Sequence, residues 1–533
     1  MTLGSRRLVA EFLEASASKA PDKIALVAGA ERLSYADLDA RANRLARALR
    51  ARGVTRGERV LIQGDNQLDT AVALFATLKC DAIFSVVNPQ VKADKLAYML
   101  DDAGARALIA EANVAPTWLD AYARCVAKGG SALRSVMVLG TRPEAVARAV
   151  DAGRSAGLPE VVSLDAAAAE QEARALARHG IDLDTAAIIY TSGSTGEPKG
   201  AMLSHRNVDF ASWSVTALLE NTADEVILGV VPVSFNYGLY QLLMSVRLGA
   251  RLVLERSFAF PVQILQRCAA EGVTGFPGVP TMFATLGALG EVPAAPLESV
   301  RYVTSTAASL LPKHVAAARR WFPAAKVFSM YGLTECKRVS YLPPAALDAR
   351  VDSVGVPIPG TEFWVERPDG GRAGPDEAGE LVVRGAHIMQ GYWGKPELTA
   401  KFLRPGPTPG ERVFYTGDLC RIDAEGYLYF IARLDEVIKT RGEKVAPREV
   451  EAALERIEGV RECAVIGVED ELLGTAVKAF LVLTDEAKGR YTARDVQLKA
   501  GAMLENYMVP KHIAFVDALP KTEMGKIVKK TLK

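Results

Sequence analysis

The run YTSGSTGEPKG, Tyr190 to Gly200, concentrates glycines, small hydroxyl residues and a lysine in one short stretch. It follows the apolar TAAIIY and precedes LSHRNVDFASWSV, which reads as a helix capped by Ser204. Gly193 and Gly196 let the backbone turn so that N–H groups converge on an anion. Thr191, Ser192, Ser194 and Thr195 add hydroxyl donors, and Lys199 adds positive charge. Strand, loop and helix in that order would cradle phosphate. The Walker spacing is not met, because counting from Gly193 the second glycine position holds Pro198.

Four further strings lie downstream: YGLTE at Tyr331 to Glu335, YTGD at Tyr415 to Asp418, ARLDEVIK at Ala432 to Lys439, and PKTEMGK at Pro520 to Lys526. With YTSGSTGEPKG they stand in the order and spacing of the acyl-adenylate-forming superfamily, which the chain resembles over nearly its whole length. That superfamily holds acyl- and aryl-CoA ligases, adenylation domains and luciferases. The resemblance implies ATP, Mg2+ and coenzyme A as the small molecules used. A lone Glu335 is a hard oxygen ligand suited to Mg2+ bridging phosphates, and the resemblance makes Thr191 and Glu335 the metal ligands and Thr334 a phosphate contact. Tyr331 offers a flat face to adenine. Asp418 can accept both ribose hydroxyls, and Arg433 can reach the same sugar. Lys526, in a basic tail, would bridge carboxylate and α-phosphate and stabilise charge as the two anions meet. Lys199, Thr334, Glu335 and Lys526 are therefore the expected catalytic group. Asp435 is the expected hinge, and Lys439, Gly442 and Lys444 would face the thiol donor after rotation.

The acid side departs from common family patterns. In PVSFNYG, Phe235 stands where many CoA ligases carry a gating histidine, and Asn236 lacks the charge that would pair with an amino acid's ammonium. In VTSTAASLL, Thr306 replaces a glycine beside Ala307, and Met330 precedes Tyr331 where glycine is common in members with a long acyl tunnel. Added volume at a pocket wall opposes a long tail. Tyr237 supplies a flat surface. The expected substrate is a compact carboxylic acid, aromatic or cyclic, converted to acyl-AMP and passed to the thiol of coenzyme A. The alternative acceptor is the phosphopantetheine of a separate carrier protein.

The elements that must position these residues follow from patterning. Residues 34–53 read as a helix with Ser34 as N-cap, Leu38, Ala42, Leu45 and Leu49 on one face, and Gly53 as its stop. ERVLIQGD, DTAVALFATLKC and DAIFSVVNP then alternate strand, helix, strand, which predicts parallel α/β sheets. Residues 145–180 read as surface helix and connector. Glycine- and proline-rich turns between short β runs after Val351 predict a β-rich unit. The fold class expected is α/β, with two α/β sheets and a β-rich unit in a large unit spanning 1–434, and a small mobile α+β domain over 435–533.

The 533 residues allow roughly three or four packing units. Lys plus Arg is 64 against 63 for Asp plus Glu, a net charge of +1, which disfavours a nucleic acid as main ligand. Six scattered cysteines without a C-x-x-C pair read as free thiols in a reducing compartment. The N-terminus forms no signal-peptide core, and no apolar run is long enough to span a bilayer. The expected location is cytoplasmic, and the sequence leaves oligomeric state open.

Overall fold

A computed structural model describes residues 8–192, 198–290, 295–306, 310–440, 443–470, 474–522 and 527–532. Among them, two large sheets dominate. The eight-stranded sheet runs in the order Gly391–Tyr392, Pro198–Ser204, Thr185–Ser192, Ile83–Val87, Arg59–Gln63, Ala107–Glu111, Ser135–Leu139, Glu160–Ser163. It is parallel except at the Thr185–Ser192 end, where the last two pairings are antiparallel. The nine-stranded sheet centres on the parallel strands Ile24–Ala28, Arg251–Leu254, Val226–Gly229, Gly275–Gly278, Tyr302–Ser305 and Lys326–Tyr331. A five-stranded antiparallel sheet spans Glu362–Arg433, and Val460–Asp470, Gly474–Leu483 and His512–Phe515 form a small sheet near the C-terminus.

Local signals account for the elements. Helix Tyr35–Ala51 starts where the Ser34 side chain accepts from Asp37 N at 3.1 Å, and it buries Leu38, Ala42, Leu45 and Leu49 as the spacing predicts. Helix Asn236–Leu248 is apolar on nearly every face and buried from Tyr237 to Val246, so it lies in the core. Gly249 ends it in the left-handed region at φ +75°.

Asn66 ties the two large sheets together. Its Nδ2 donates to the carbonyls of Gly229, Val231 and Glu255 at 2.9, 3.2 and 2.9 Å, and its Oδ1 accepts from Val233 N at 2.8 Å. The amide thus satisfies the backbone that leads from one sheet into helix Asn236–Leu248, where no ladder partner is available.

Two readings change. The phosphate-type run does not open onto a helix. Thr185–Ser192 and Pro198–Ser204 are antiparallel neighbours, with Thr191 paired to Lys199, so the run is a hairpin connection. The helix His205–Leu218 starts one strand later, capped by Ser204 with Asn207 closing the capping box. Within 145–180, Glu160–Ser163 is an edge strand of the eight-stranded sheet rather than connector. Its four residues are too few for period-two alternation to show against the alanine-rich surroundings.

Candidate active site

Three of the expected site residues lie at the C-terminal ends of strands with parallel neighbours, where an open α/β sheet leaves a crevice because the connections diverge. Thr306 follows strand Tyr302–Ser305, Tyr331 ends strand Lys326–Tyr331, and Thr191 lies near the end of Thr185–Ser192. Phe235 is the N-cap of helix Asn236–Leu248, which puts Asn236 and Tyr237 in its first turn. Gly193, Ser194, Thr195, Gly196, Ala307, Gly442 and Lys526 lie outside the described residues, as do the side chains of Ser192, Lys439 and Lys444.

One group forms around Asp418. Strands Arg412–Ile422 and Leu428–Arg433 pair antiparallel with Asp418 opposite Arg433, so the ladder register delivers the pair. Arg433 Nη1 donates to Asp418 Oδ1 at 2.7 Å, and the Tyr331 hydroxyl donates to Asp418 Oδ2. Asp418 is only 2% exposed. Burial and the neighbouring Asp418 carboxylate push the Tyr331 phenol well above its ordinary range, so it stays a donor. Three residues from three distant strings therefore make one connected unit.

A second group joins the two large sheets at Glu335. The segment after the β-rich turns returns as strand Gly391–Tyr392 and pairs with Pro198–Ser204, with Tyr392 opposite Ala201. From there the Tyr392 hydroxyl donates to Glu335 Oε1 at 2.7 Å, while Met389 N donates to the Glu335 carbonyl at 2.7 Å. Lys199 Nζ stands 6.0 Å from the Tyr392 ring centroid. Burial lowers the Lys199 pKa, and the Glu335 carboxylate opposes that shift. Among the described residues Glu335 Oε2 takes no hydrogen bond, so one hard oxygen remains open beside a cation. That donor set fits Mg2+ carried on phosphates.

The third group holds the residues expected at the acid. The Tyr237 hydroxyl donates to the Thr304 carbonyl at 3.0 Å and lies 2.6 Å from Thr304 Oγ1. Thr306 Oγ1 accepts from Arg338 Nη1 at 3.2 Å, and the Asn236 carbonyl accepts from Lys337 Nζ at 3.1 Å. The Arg338 guanidinium covers the Tyr237 ring at 4.5 Å, and Lys337 Nζ lies 3.9 Å from the Tyr240 centroid. Met330 is buried in the apolar core. A cation over a desolvated ring recovers about 2 kcal/mol, whereas removing an ion from water costs several kcal/mol. The aromatic contacts alone leave these two cations under-compensated.

Family models match this chain over most of its length. The AMP-binding enzyme model covers residues 13–393, and the AMP-binding enzyme C-terminal domain model covers 449–526. The chain belongs to the AMP-binding enzyme family. Among AMP-binding enzymes, a feruloyl-CoA synthase of an Amycolatopsis species is 33% identical over 515 residues, 96% of this chain and 96% of that protein. A long-chain-fatty-acid–CoA ligase of Bacillus subtilis (strain 168) is 30% identical over 98% of this chain and 93% of that protein. The ATP-bound crystal structure of MatB from Rhodopseudomonas palustris superposes with a TM-score of 0.83 at 29% identity, covering 98% of both chains. As an AMP-binding enzyme the chain keeps the family's two-part organisation, with α/β sheets, a β-rich unit and a small C-terminal sheet.

Sequence reading missed Tyr392, Lys337 and Arg338. Tyr392 sits in GYWG, far from YGLTE, and only sheet pairing brings it to Glu335. For Lys337 and Arg338 a signal existed: two adjacent cations one residue beyond YGLTE, in the otherwise weakly polar run CKRVSYL.

Proposed function

We propose that this enzyme is an AMP-forming acid:CoA ligase acting on a compact carboxylic acid. The observation that supports this most is the convergence of Lys199, Glu335 and the Tyr331–Asp418–Arg433 unit, from four separate strings. The Asp418 unit holds the ribose and Tyr331 flanks the base, while Lys199 and Thr334 hold phosphate oxygens. Thr191 and Glu335 would hold Mg2+, which when bound offsets charge on the phosphates.

In the first half-reaction a carboxylate oxygen attacks the α-phosphorus. The bond from that phosphorus to the β-bridging oxygen breaks, and pyrophosphate leaves. Lys526 meets both anions as they approach. In the second, the thiol loses its proton, its sulfur attacks the acyl carbon, and AMP leaves with the bridging oxygen. We place the domain boundary at the turn 434–436, with Asp435 as hinge, so that rotation withdraws Lys526 and presents Lys439, Gly442 and Lys444 to the thiol. The six buried free thiols suit a reducing compartment, the cytoplasm. Among the described residues no helix is long and apolar enough to cross a membrane.

The test is a panel of carboxylic acids assayed for pyrophosphate release, repeated with coenzyme A and with phosphopantetheinylated carrier proteins. Acyl-CoA formation from an activated acid is expected. Thioester appearing on carrier alone would reassign the acceptor.

A further inference from the structure

The reaction scheme leaves Lys337 and Arg338 without a task. Both are buried, 2% and 4% exposed. Among the described residues neither forms an ion pair, and what covers the Arg338 guanidinium is the neutral Tyr237 ring, not a carboxylate. Arg338 spends one donor on Thr306 Oγ1 at 3.2 Å, and its Nε is buried without an acceptor. Asn236 Oδ1 is likewise buried and unmatched. Lys337 adopts φ +58°, a left-handed conformation that a lysine rarely takes and that persists only where its surroundings enforce it. This turn puts both neighbouring cations inside, against Asn236, Tyr237 and Thr306.

Buried cations are ordinarily paired, because an ion stripped of water needs an opposite charge. An arginine with open in-plane donors is shaped for a carboxylate, which can take two parallel N–H bonds. Building on the ligase reading, we propose that the acid activated here carries a second carboxylate, bound between Arg338 and Lys337 at the acyl end of the site. One carboxylate is then adenylated beside Lys199 and Glu335, and the other supplies the missing negative charge. The substrate class is a compact dicarboxylic acid. An acid with an apolar far end is rejected, because it would cover the two cations while giving them no partner.

The experiment compares wild-type kcat/KM, by pyrophosphate release, for matched pairs: benzoate against benzene-1,3-dicarboxylate, and hexanoate against hexanedioate. The dicarboxylate of at least one pair is expected to exceed its partner by about 10²-fold or more. In Arg338→Met that preference, read as the ratio of the two kcat/KM values, collapses. A thermal-shift arm needs no turnover: the favoured dicarboxylate raises the wild-type midpoint and leaves that of Arg338→Met unmoved. Lys337→Met is expected to weaken the same shift, so the proposal does not depend on one variant folding. Preference for monocarboxylates in wild type, with pyrophosphate release intact, overturns the inference. So does an Arg338→Met that slows both acids alike and raises KM for ATP, since the cation would then serve the nucleotide. Pyrophosphate release with no acid at all overturns the ligase reading instead, and the thermal-shift arm still decides the anion site.

Discussion

At the scale of single residues, chemistry depends on where charge is placed. In the proposed role Lys526 acts only while one anion attacks another, so Lys526→Ala should cut acyl-AMP formation by about 10²- to 10³-fold. Thioester formation from supplied acyl-AMP should be nearly untouched. Measuring the two half-reactions separately checks this, and equal losses would remove Lys526 from the proposed role. Thr306 and Met330 are the residues proposed to limit the volume of the acid side. Glycine at both positions should shift the kcat/KM ratio toward longer acids, read across an acid series of increasing length. An unchanged ratio would mean that the wall lies elsewhere.

At the scale of elements, turns and termini hold the site in register. Gly332 lies in YGLTE against the chain as it doubles back, and a Cβ there would stand 2.2 Å from the Lys337 carbonyl oxygen and 2.8 Å from Arg338 Cα. Backbone cannot yield as a side-chain tip can. Gly332→Ala should therefore cost about 1 to 3 kcal/mol of stability through overpacking and impair turnover more than a surface change would. Denaturant midpoints alongside kcat/KM would show both effects. His205 opens helix His205–Leu218 and accepts from Val9 N through Nδ1 at 3.0 Å, which requires a neutral ring. Burial pushes its pKa down to about 4. The unfolded chain titrates near 6.5 and takes up the proton first as pH falls. This contribution, up to about 3 kcal/mol, is thus full above pH 6.5 and lost toward pH 4. His314 and His387 are pushed down to about 4 by burial as well, so the losses add. His205→Gln, which keeps an acceptor but cannot titrate, should flatten part of the acid limb in urea midpoints taken from pH 7 to 4. An unaltered slope would show that His205 does not carry it.

At the scale of the whole molecule, the site is a joint between sheets. Asn66 fixes the two large sheets, and the 389–392 segment links Glu335 of one to Pro198–Ser204 of the other. Asp435 lies in the exposed turn between Leu428–Arg433 and Ile438–Thr440, with Arg433 Nε 3.7 Å away. If the C-terminal part rotates there, Asp435→Pro should spare acyl-AMP formation and depress thiol transfer, because proline fixes φ at the pivot. Transfer at the wild-type rate in single-turnover assays would move the hinge to another residue.

The sequence by itself determined the reaction type. Glycines, hydroxyls, Lys199, Glu335, Asp418 and Arg433 advertise nucleotide chemistry because each role demands a residue type at a set place in a short string. Cap and period signals likewise fixed helix Tyr35–Ala51 and the parallel strands, since those depend on neighbours a few residues away. Only the tertiary structure decided that the phosphate-type run joins two antiparallel strands, that Tyr392 holds Glu335, and that Glu160–Ser163 closes a sheet edge. It alone shows that Lys337 and Arg338 are buried and, among the described residues, without a carboxylate partner. Burial and pairing are non-local: whether a charge is solvated depends on which distant segments close over it. In the sequence the same two residues stand out only as adjacent cations in a weakly polar run, which does not tell whether water reaches them.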